Sequence, residues 1–259
     1  MAEKKPLTAA VGRGPPAAFA WLVHAFTASG ALLALLALMA VEARDWTMAL
    51  VWLAVALFVD GVDGSLARWA RVKEKAPRID GDTLDLVIDY LTFVLVPTLF
   101  LWRAELIPLS LAPWLAGAIL ISSLYVFART DMKTDGGYFR GFPALWNLVA
   151  FYLFVLDARP AVGAIVVVFL IAATFAPIHF VHPFRVRDYG KWLPVLTGLW
   201  GIATLALLWP GLDEPARTMV ATVSIATAAI LLGLGLLRSF RDLRRIAAPV
   251  EGTQENPRA

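Results

Sequence analysis

Apolar runs near 20 residues long recur along this chain, and a helix needs roughly that many to cross the hydrocarbon layer of a bilayer. Eight segments qualify: Ala17 to Val41, Thr47 to Leu66, Asp82 to Trp102, Leu109 to Ala128, Phe142 to Leu156, Pro160 to Val181, Leu193 to Trp209 and Met219 to Leu237. Composition agrees, since 59% of the 259 residues are hydrophobic and only 17% charged. The mean hydropathy of +0.71 lies far from the balance of a soluble domain. The expected fold class is all-α, a polytopic integral membrane helical bundle of about eight transmembrane helices.

The basic residues test that arrangement, because Lys and Arg accumulate on the cytoplasmic side of a membrane. With eight spans, 19 of the 23 Lys and Arg fall on one side, and only Arg44, Arg103, Arg159 and Arg217 on the other. Both termini are therefore expected on the cytoplasmic side of the membrane. The first span is longer than a signal-peptide core and has a basic N-terminal flank, so it reads as a retained helix. Residues 1–246 are expected to form one transmembrane domain and residues 247–259 a disordered polar tail.

The absence of cysteine excludes disulfides, zinc-thiolate sites and thiol catalysis. A pI near 9.3 raises the question of nucleic acid, but the basic residues are dispersed between apolar runs rather than gathered on one surface. No internal repeat suggests an inverted-repeat transporter. What remains is chemistry carried by carboxylates, bases or metals.

Ionisable side chains within or beside membrane spans are costly and usually functional. Here the second span ends Asp60-Gly61-Val62-Asp63-Gly64-Ser65-Leu66-Ala67-Arg68, and the third begins Gly81-Asp82-Thr83-Leu84-Asp85, with Asp89 a turn later. At about 100° per residue, Asp60, Asp63, Gly64, Ala67 and Arg68 share one helix face, and Gly81, Asp85 and Asp89 share another. A short connection makes the two helices antiparallel neighbours whose acidic faces converge. Four facing carboxylates repel one another unless divalent cations lie between them. Oxygen-only ligands favour hard ions such as Mg²⁺ or Mn²⁺, and a pair of such ions suits phosphoryl displacement. Gly61, Gly64 and Ala67 leave room for a diphosphate, and Arg68 offers charge-assisted bonds to its oxygens. The plainer readings are an N-cap at Asp82, ion pairing of Asp60 or Asp63 with Arg68, and a cation pathway through a transporter. The pathway reading requires acidic groups toward both faces of the membrane, and these gather at one.

These residues resemble the signature of the CDP-alcohol phosphotransferase family, D-x-x-D-G-x-x-A-R, a spacer, and G-x-x-x-D-x-x-x-D, with every fixed position present. The spacer from Trp69 to Asp80 is longer than the family's usual one, and Gly61 adds a glycine after the first aspartate. Both features are similar to the phosphatidylcholine-forming branch, as are the segments Phe139 to Asn147 and Phe175 to Pro183. The resemblance implies a six-helix core and a two-ion centre held by Asp60, Asp63, Asp85 and Asp89, with Asp89 as base. It implies that Gly61, Gly64, Ala67, Arg68 and Gly81 contact CDP-diacylglycerol, and that the ions are Mn²⁺ or Mg²⁺. It also implies a homodimer and choline as acceptor, with serine, inositol or glycerol phosphate as the alternatives. The first span carries His24-x-x-Thr27 where the family often has Asn-x-x-Thr. A quaternary ammonium is held over aromatic faces, and Tyr90, Tyr125, Tyr138, Phe142 and Trp146 are the candidates. His179 and His182 read as structural, and Arg129, Lys133 and Arg140 as inside-loop charges or lipid-phosphate ligands.

Overall fold

A computed structural model of the chain describes residues 16–247 except 133, 135, 182–185 and 187. Lys133, His182 and the expected tail from residue 248 onward lie outside the described residues. Besides a single helical turn at Val72–Lys75, eight longer helices are described: α1 (Ala17–Glu42), α2 (Trp46–Ala70), α3 (Gly81–Arg103), α4 (Ala112–Ala128), α5 (Trp146–Val155), α6 (Pro160–Phe175), α7 (Trp192–Ala206) and α8 (Glu214–Ala247). Four of them, α1, α2, α3 and α8, are long and apolar enough to cross a membrane, and the other four are shorter apolar helices of 10–17 residues. Large apolar side chains cover the outside, Leu22, Met39, Phe58, Ile121 and Phe169 among them. Such a surface needs lipid rather than water around it, and the chain is a polytopic helical membrane protein.

Local chemistry fixes the helix boundaries. Asp45 caps α2 by accepting the Met48 N–H at 3.0 Å, and Pro113 and Pro160 stand in the first turns of α4 and α6, where a missing N–H is harmless. The fifth and sixth helices are shorter than the expected spans. Gly141 at φ 76° and Ala144 at φ 58° keep the chain before Trp146 irregular, and the segment expected to prolong α6 instead forms a strand. Strand β1 (Phe139–Arg140) pairs antiparallel with β2 (His179–Phe180), Phe139 opposite Phe180 and Arg140 opposite His179. A Cβ at Gly141 would collide with the Thr174 carbonyl, so glycine is needed there for both conformation and space.

α3 is not the straight helix the pattern predicts. Residues Tyr90–Leu95 form a π-helical segment, with the Val96 N–H bonding back to Leu91 O. Pro97 explains it: the proline ring lacks a donor and crowds the carbonyl four residues earlier, which widens the preceding turn. The widened segment starts directly after Asp89 and packs against α1, α2, α4 and α5, at the centre of the bundle.

α1 makes its most extensive packing along α2 and also runs against α3. Gly30 is where α1 and α3 close, since a Cβ there would overlap the Cγ2 of Ile88, the neighbour of Asp89. Asp82 is not the cap of α3. That role belongs to Asp80, which accepts the Asp82 and Thr83 N–H groups at 3.0 and 3.3 Å and the Thr83 hydroxyl at 2.9 Å, while Asp82 pairs with Lys73 at 2.6 Å. The Thr83 hydroxyl, followed by the backbone N–H groups, holds the Asp80 carboxyl below the usual carboxylate range.

Two outcomes are expected. Gly30→Ala should overpack the α1–α3 contact and cost about 1–3 kcal/mol, seen as a lower unfolding midpoint of the detergent-solubilised protein; an unchanged midpoint would show that Ile88 moves aside freely. The Asp80 cap should be complete above about pH 4 and lost as pH falls through its lowered value, read as amide hydrogen exchange at residues 82–84. Asp80→Asn should keep the protection at neutral pH and Asp80→Ala lose it.

Candidate active site

The acidic residues come from the last turns of α2 and the first turns of α3, at one end of the bundle. α2 stops because Arg71 takes a left-handed conformation, φ 55° and ψ 47°, and its N–H returns to Ala67 O and Arg68 O. A single helical turn, Val72–Lys75, and Pro77 then redirect the chain to Asp80, where α3 begins.

One carboxylate oxygen from each of Asp60, Asp85 and Asp89 lies within 4.8 Å of the other two. At that separation two ionised carboxylates repel by about 3 kcal/mol for an effective dielectric constant near 20, so three together demand a compensating positive charge. Oδ1 of Asp89 is buried and has no hydrogen-bond partner. Hard oxygen donors, close spacing and an unpartnered inner oxygen together fit a divalent cation.

Asp63 is placed differently. It is only 5% exposed, stands outside that three-carboxylate group, and accepts a hydrogen bond at Oδ2 from the Thr27 hydroxyl of α1 at 2.8 Å. Thr27 was not among the residues the acidic pattern singles out. Its trace in the sequence is the spacing His24-x-x-Thr27, which puts both side chains on the face of α1 that turns inward. His24 is itself buried, its Nε2 without a partner, and its ring edge is where a Cβ on Gly81 would sit, 3.2 Å from Cε1.

The residues expected to line a nucleotide path follow α2. A Cβ on Gly61 would meet nothing within 4 Å, and one on Gly64 would meet Nη1 of Arg68 at 3.5 Å. Arg68 lies back over Gly64 and donates to Ser65 Oγ at 3.1 Å. Gly64 and Ala67 are partly buried beside it.

The five aromatic candidates fall into four environments, with Phe142 and Trp146 sharing one. Tyr90, next to Asp89, donates its hydroxyl to Leu120 O at 3.0 Å and meets Phe127 edge-on at 5.7 Å. Tyr125 projects from a different side of α4 from Phe127, pairs with Phe175 at 5.0 Å and carries the Arg129 guanidinium 5.3 Å above its ring. Tyr138 is buried, donates to Asp188 Oδ2 at 2.8 Å and is covered by the Arg238 guanidinium at 5.5 Å. Burial, then the bond to Asp188, pushes its phenol pKa up. Phe142 and Trp146 pack edge to face at 5.0 Å in the core, with Trp146 Nε1 donating to Ser123 Oγ at 2.9 Å.

Arg129 and Arg140 converge on one carboxylate, Asp131, at 2.8 and 3.7 Å. Hydrogen bonds from Arg129 hold Asp131 below its usual range. His179 is set in place by Ser239 of α8, whose Oγ accepts its backbone N–H at 2.7 Å.

A family model described as CDP-alcohol phosphatidyltransferase matches residues 21–178. The chain is 44% identical to the phosphatidylcholine synthase of Pseudomonas aeruginosa over 224 residues, covering 86% of this chain and 93% of that one. It is 43% identical over 192 residues to the phosphatidylcholine synthase of Bradyrhizobium diazoefficiens, covering 74% and 72%. With that of Borreliella burgdorferi it shares 32% over 226 residues, 87% of this chain and 97% of the relative. The match takes in both acid-bearing helices, and the chain is an enzyme of the CDP-alcohol phosphatidyltransferase family.

Proposed function

We propose that this enzyme makes phosphatidylcholine, transferring the phosphatidyl group of CDP-diacylglycerol to choline and releasing CMP. The observation that carries the chemistry is the gathering of Asp60, Asp85 and Asp89 within 4.8 Å at one end of the bundle, with an inner oxygen of Asp89 left unpartnered. The relatives named phosphatidylcholine synthase, 44% identical in one case over most of both chains, support the acceptor.

In this reading Asp60, Asp63, Asp85 and Asp89 hold two divalent ions, Mg²⁺ or Mn²⁺. When bound, such ions neutralise the diphosphate and the charge that develops on the leaving phosphate. Gly61 and Gly64 let the diphosphate approach the backbone of α2, and Arg68 swings from Ser65 to bond its oxygens. Gly81 and Ala67 leave room beside it. Asp89 takes the proton of the choline hydroxyl as that oxygen forms its bond to the lipid-linked phosphorus and the bond from phosphorus to the CMP oxygen breaks. Positioning supplies most of the acceleration, as in phosphoryl transfer generally.

A site at helix ends suits a donor with two natures: the acyl chains stay in lipid while the nucleotide head stays in water. The bias of basic residues toward one side supports a site facing the cytoplasm from the inner membrane. Tyr90, adjacent to Asp89, is the aromatic candidate closest in the chain to the proton acceptor and the first to test for choline. A homodimer belongs to the same reading.

Membranes containing the protein, given labelled choline, CDP-diacylglycerol and Mn²⁺, should yield labelled lipid. EDTA should abolish the product and added Mn²⁺ restore it. Labelled serine, inositol and glycerol phosphate, run in parallel, should give none. Asp89→Asn should lower turnover by about 10²–10⁴-fold. Turnover at the wild-type rate would remove Asp89 from the mechanism, and a labelled product from another acceptor in place of choline would overturn the substrate assignment.

A further inference from the structure

The hydroxyl threonines of this bundle have a common habit. Thr92, Thr98, Thr174, Thr197, Thr222 and Thr227 each donate to the carbonyl four residues earlier in their own helix, at 2.7–3.0 Å. That is the default way for a helical threonine in an apolar setting to satisfy its proton. Thr204 departs from it by meeting Ser224 Oγ at 2.9 Å, and so does Thr27. Thr27 is 8% exposed, and it directs its proton across to α2, onto Oδ2 of Asp63, a residue 36 positions away, at 2.8 Å.

The acceptor is the family-signature aspartate that stands apart from the other three. Asp60, Asp85 and Asp89 face one another closely enough to share one ion, whereas Asp63 is almost fully buried against α1. A carboxylate has two oxygens and a freely turning terminal torsion. Tying Oδ2 to a fixed hydroxyl restrains that rotation, as does the backbone bond from Gly64, and assigns the ligand role to the other oxygen. α1 is well suited to hold the hydroxyl still: one turn earlier His24 abuts Gly81 at the start of α3, and one turn later Gly30 lets α1 close on Ile88. The same stretch of α1 thus touches both acid-bearing helices.

We infer that Thr27 is a positioning residue for the ion centre, holding Asp63 as a one-oxygen ligand by way of the buried hydrogen bond from α1. The inference rests on the reading of the four aspartates as ion ligands. It does not depend on the identity of the acceptor alcohol. Outer hydrogen-bond partners of metal ligands commonly govern affinity by about 10–100-fold, which sets the size of the effect.

The test measures Mn²⁺ binding to the purified, detergent-solubilised full chain by electron paramagnetic resonance of free Mn²⁺, with neither lipid substrate nor choline present. Thr27→Val, which keeps the shape and removes the hydroxyl, should weaken binding by about tenfold or more, and Thr27→Ser should remain near wild type. Asp63→Asn should weaken binding on its own. Adding Thr27→Val to Asp63→Asn should cause no further loss, because a residue acting through Asp63 has nothing left to act on. A merely structural hydroxyl would give additive losses, or loss of thermal stability with unchanged Mn²⁺ affinity, and either result overturns the inference. If Thr27→Val does not fold, Thr27→Ala is read by the same criteria. If Asp63→Asn weakens Mn²⁺ binding and the Thr27 variants do not, only this inference falls; if Asp63→Asn leaves Mn²⁺ binding intact, the reading of Asp63 as a ligand falls with it.

Discussion

Crowding of negative charge at the mouth of an apolar bundle is the constraint around which this molecule is organised. Carboxylates from two helices within 4.8 Å of one another do not stay there without help, since each pair opposes the approach and lipid on the outer faces offers no screening. Packing supplies the help. α1 lies against both acid-bearing helices, using a narrow face of Thr27, Gly30, Ala34 and Ala37, which are buried or partly buried. Small side chains let helix backbones approach closely in a membrane, where there is no hydrophobic drive to push them together. The acidic end is held together by contacts made elsewhere along the same helices.

The second half of the chain is fastened by polar bonds as much as by apolar packing. Tyr152 of α5 accepts from Trp200 Nε1 of α7 at 2.7 Å and meets Ser224 Oγ of α8 at 2.8 Å, and Ser224 also meets Thr204 at 2.9 Å. A hydroxyl inside a bilayer finds no water, so such a cluster joins three helices specifically. At the other end Arg238 bridges Asp188 and Asp242, and α8 packs on β2. The pairing of β1 with β2 makes neighbours of two stretches that stand some 40 residues apart in sequence, Phe139 to Asn147 and Phe175 to Pro183. The two stretches thus form one place in the fold, described as far as Val181.

Much of this was legible before any coordinates. Hydropathy found all eight helices, because an apolar run in a chain this rich in Leu, Ala and Val has one inexpensive backbone solution. The periodicity of Asp60, Asp63, Asp85 and Asp89 put the acids on converging faces, and the described geometry brings three of the four together. The rest was hidden for physical reasons. A capping residue announces itself by type, and Asp82 is the one expected; backbone geometry gives the role to Asp80 instead. The π turn beside Asp89 gave no sign in the hydropathy pattern, which reads Asp82 to Trp102 as one continuous span. The Thr27 to Asp63 bond joins residues whose proximity depends on how α1 crosses α2, and no local pattern encodes a crossing. Aromatic residues gave the weakest guidance, since Tyr138, Phe142 and Trp146 serve core and network roles with the same side chains that would grip a cation.

The widened turn at Tyr90–Leu95 has a consequence for how this protein tolerates change. A regular helix transmits azimuth rigidly, so that turning one end turns the other. An inserted looser coil breaks that gearing. The acidic end of α3 turns Asp85 and Asp89 toward Asp60 of α2 while Phe100 and Leu101, beyond the coil, keep their fully buried positions. The facing of one helix end is thereby uncoupled from the deep packing at the other.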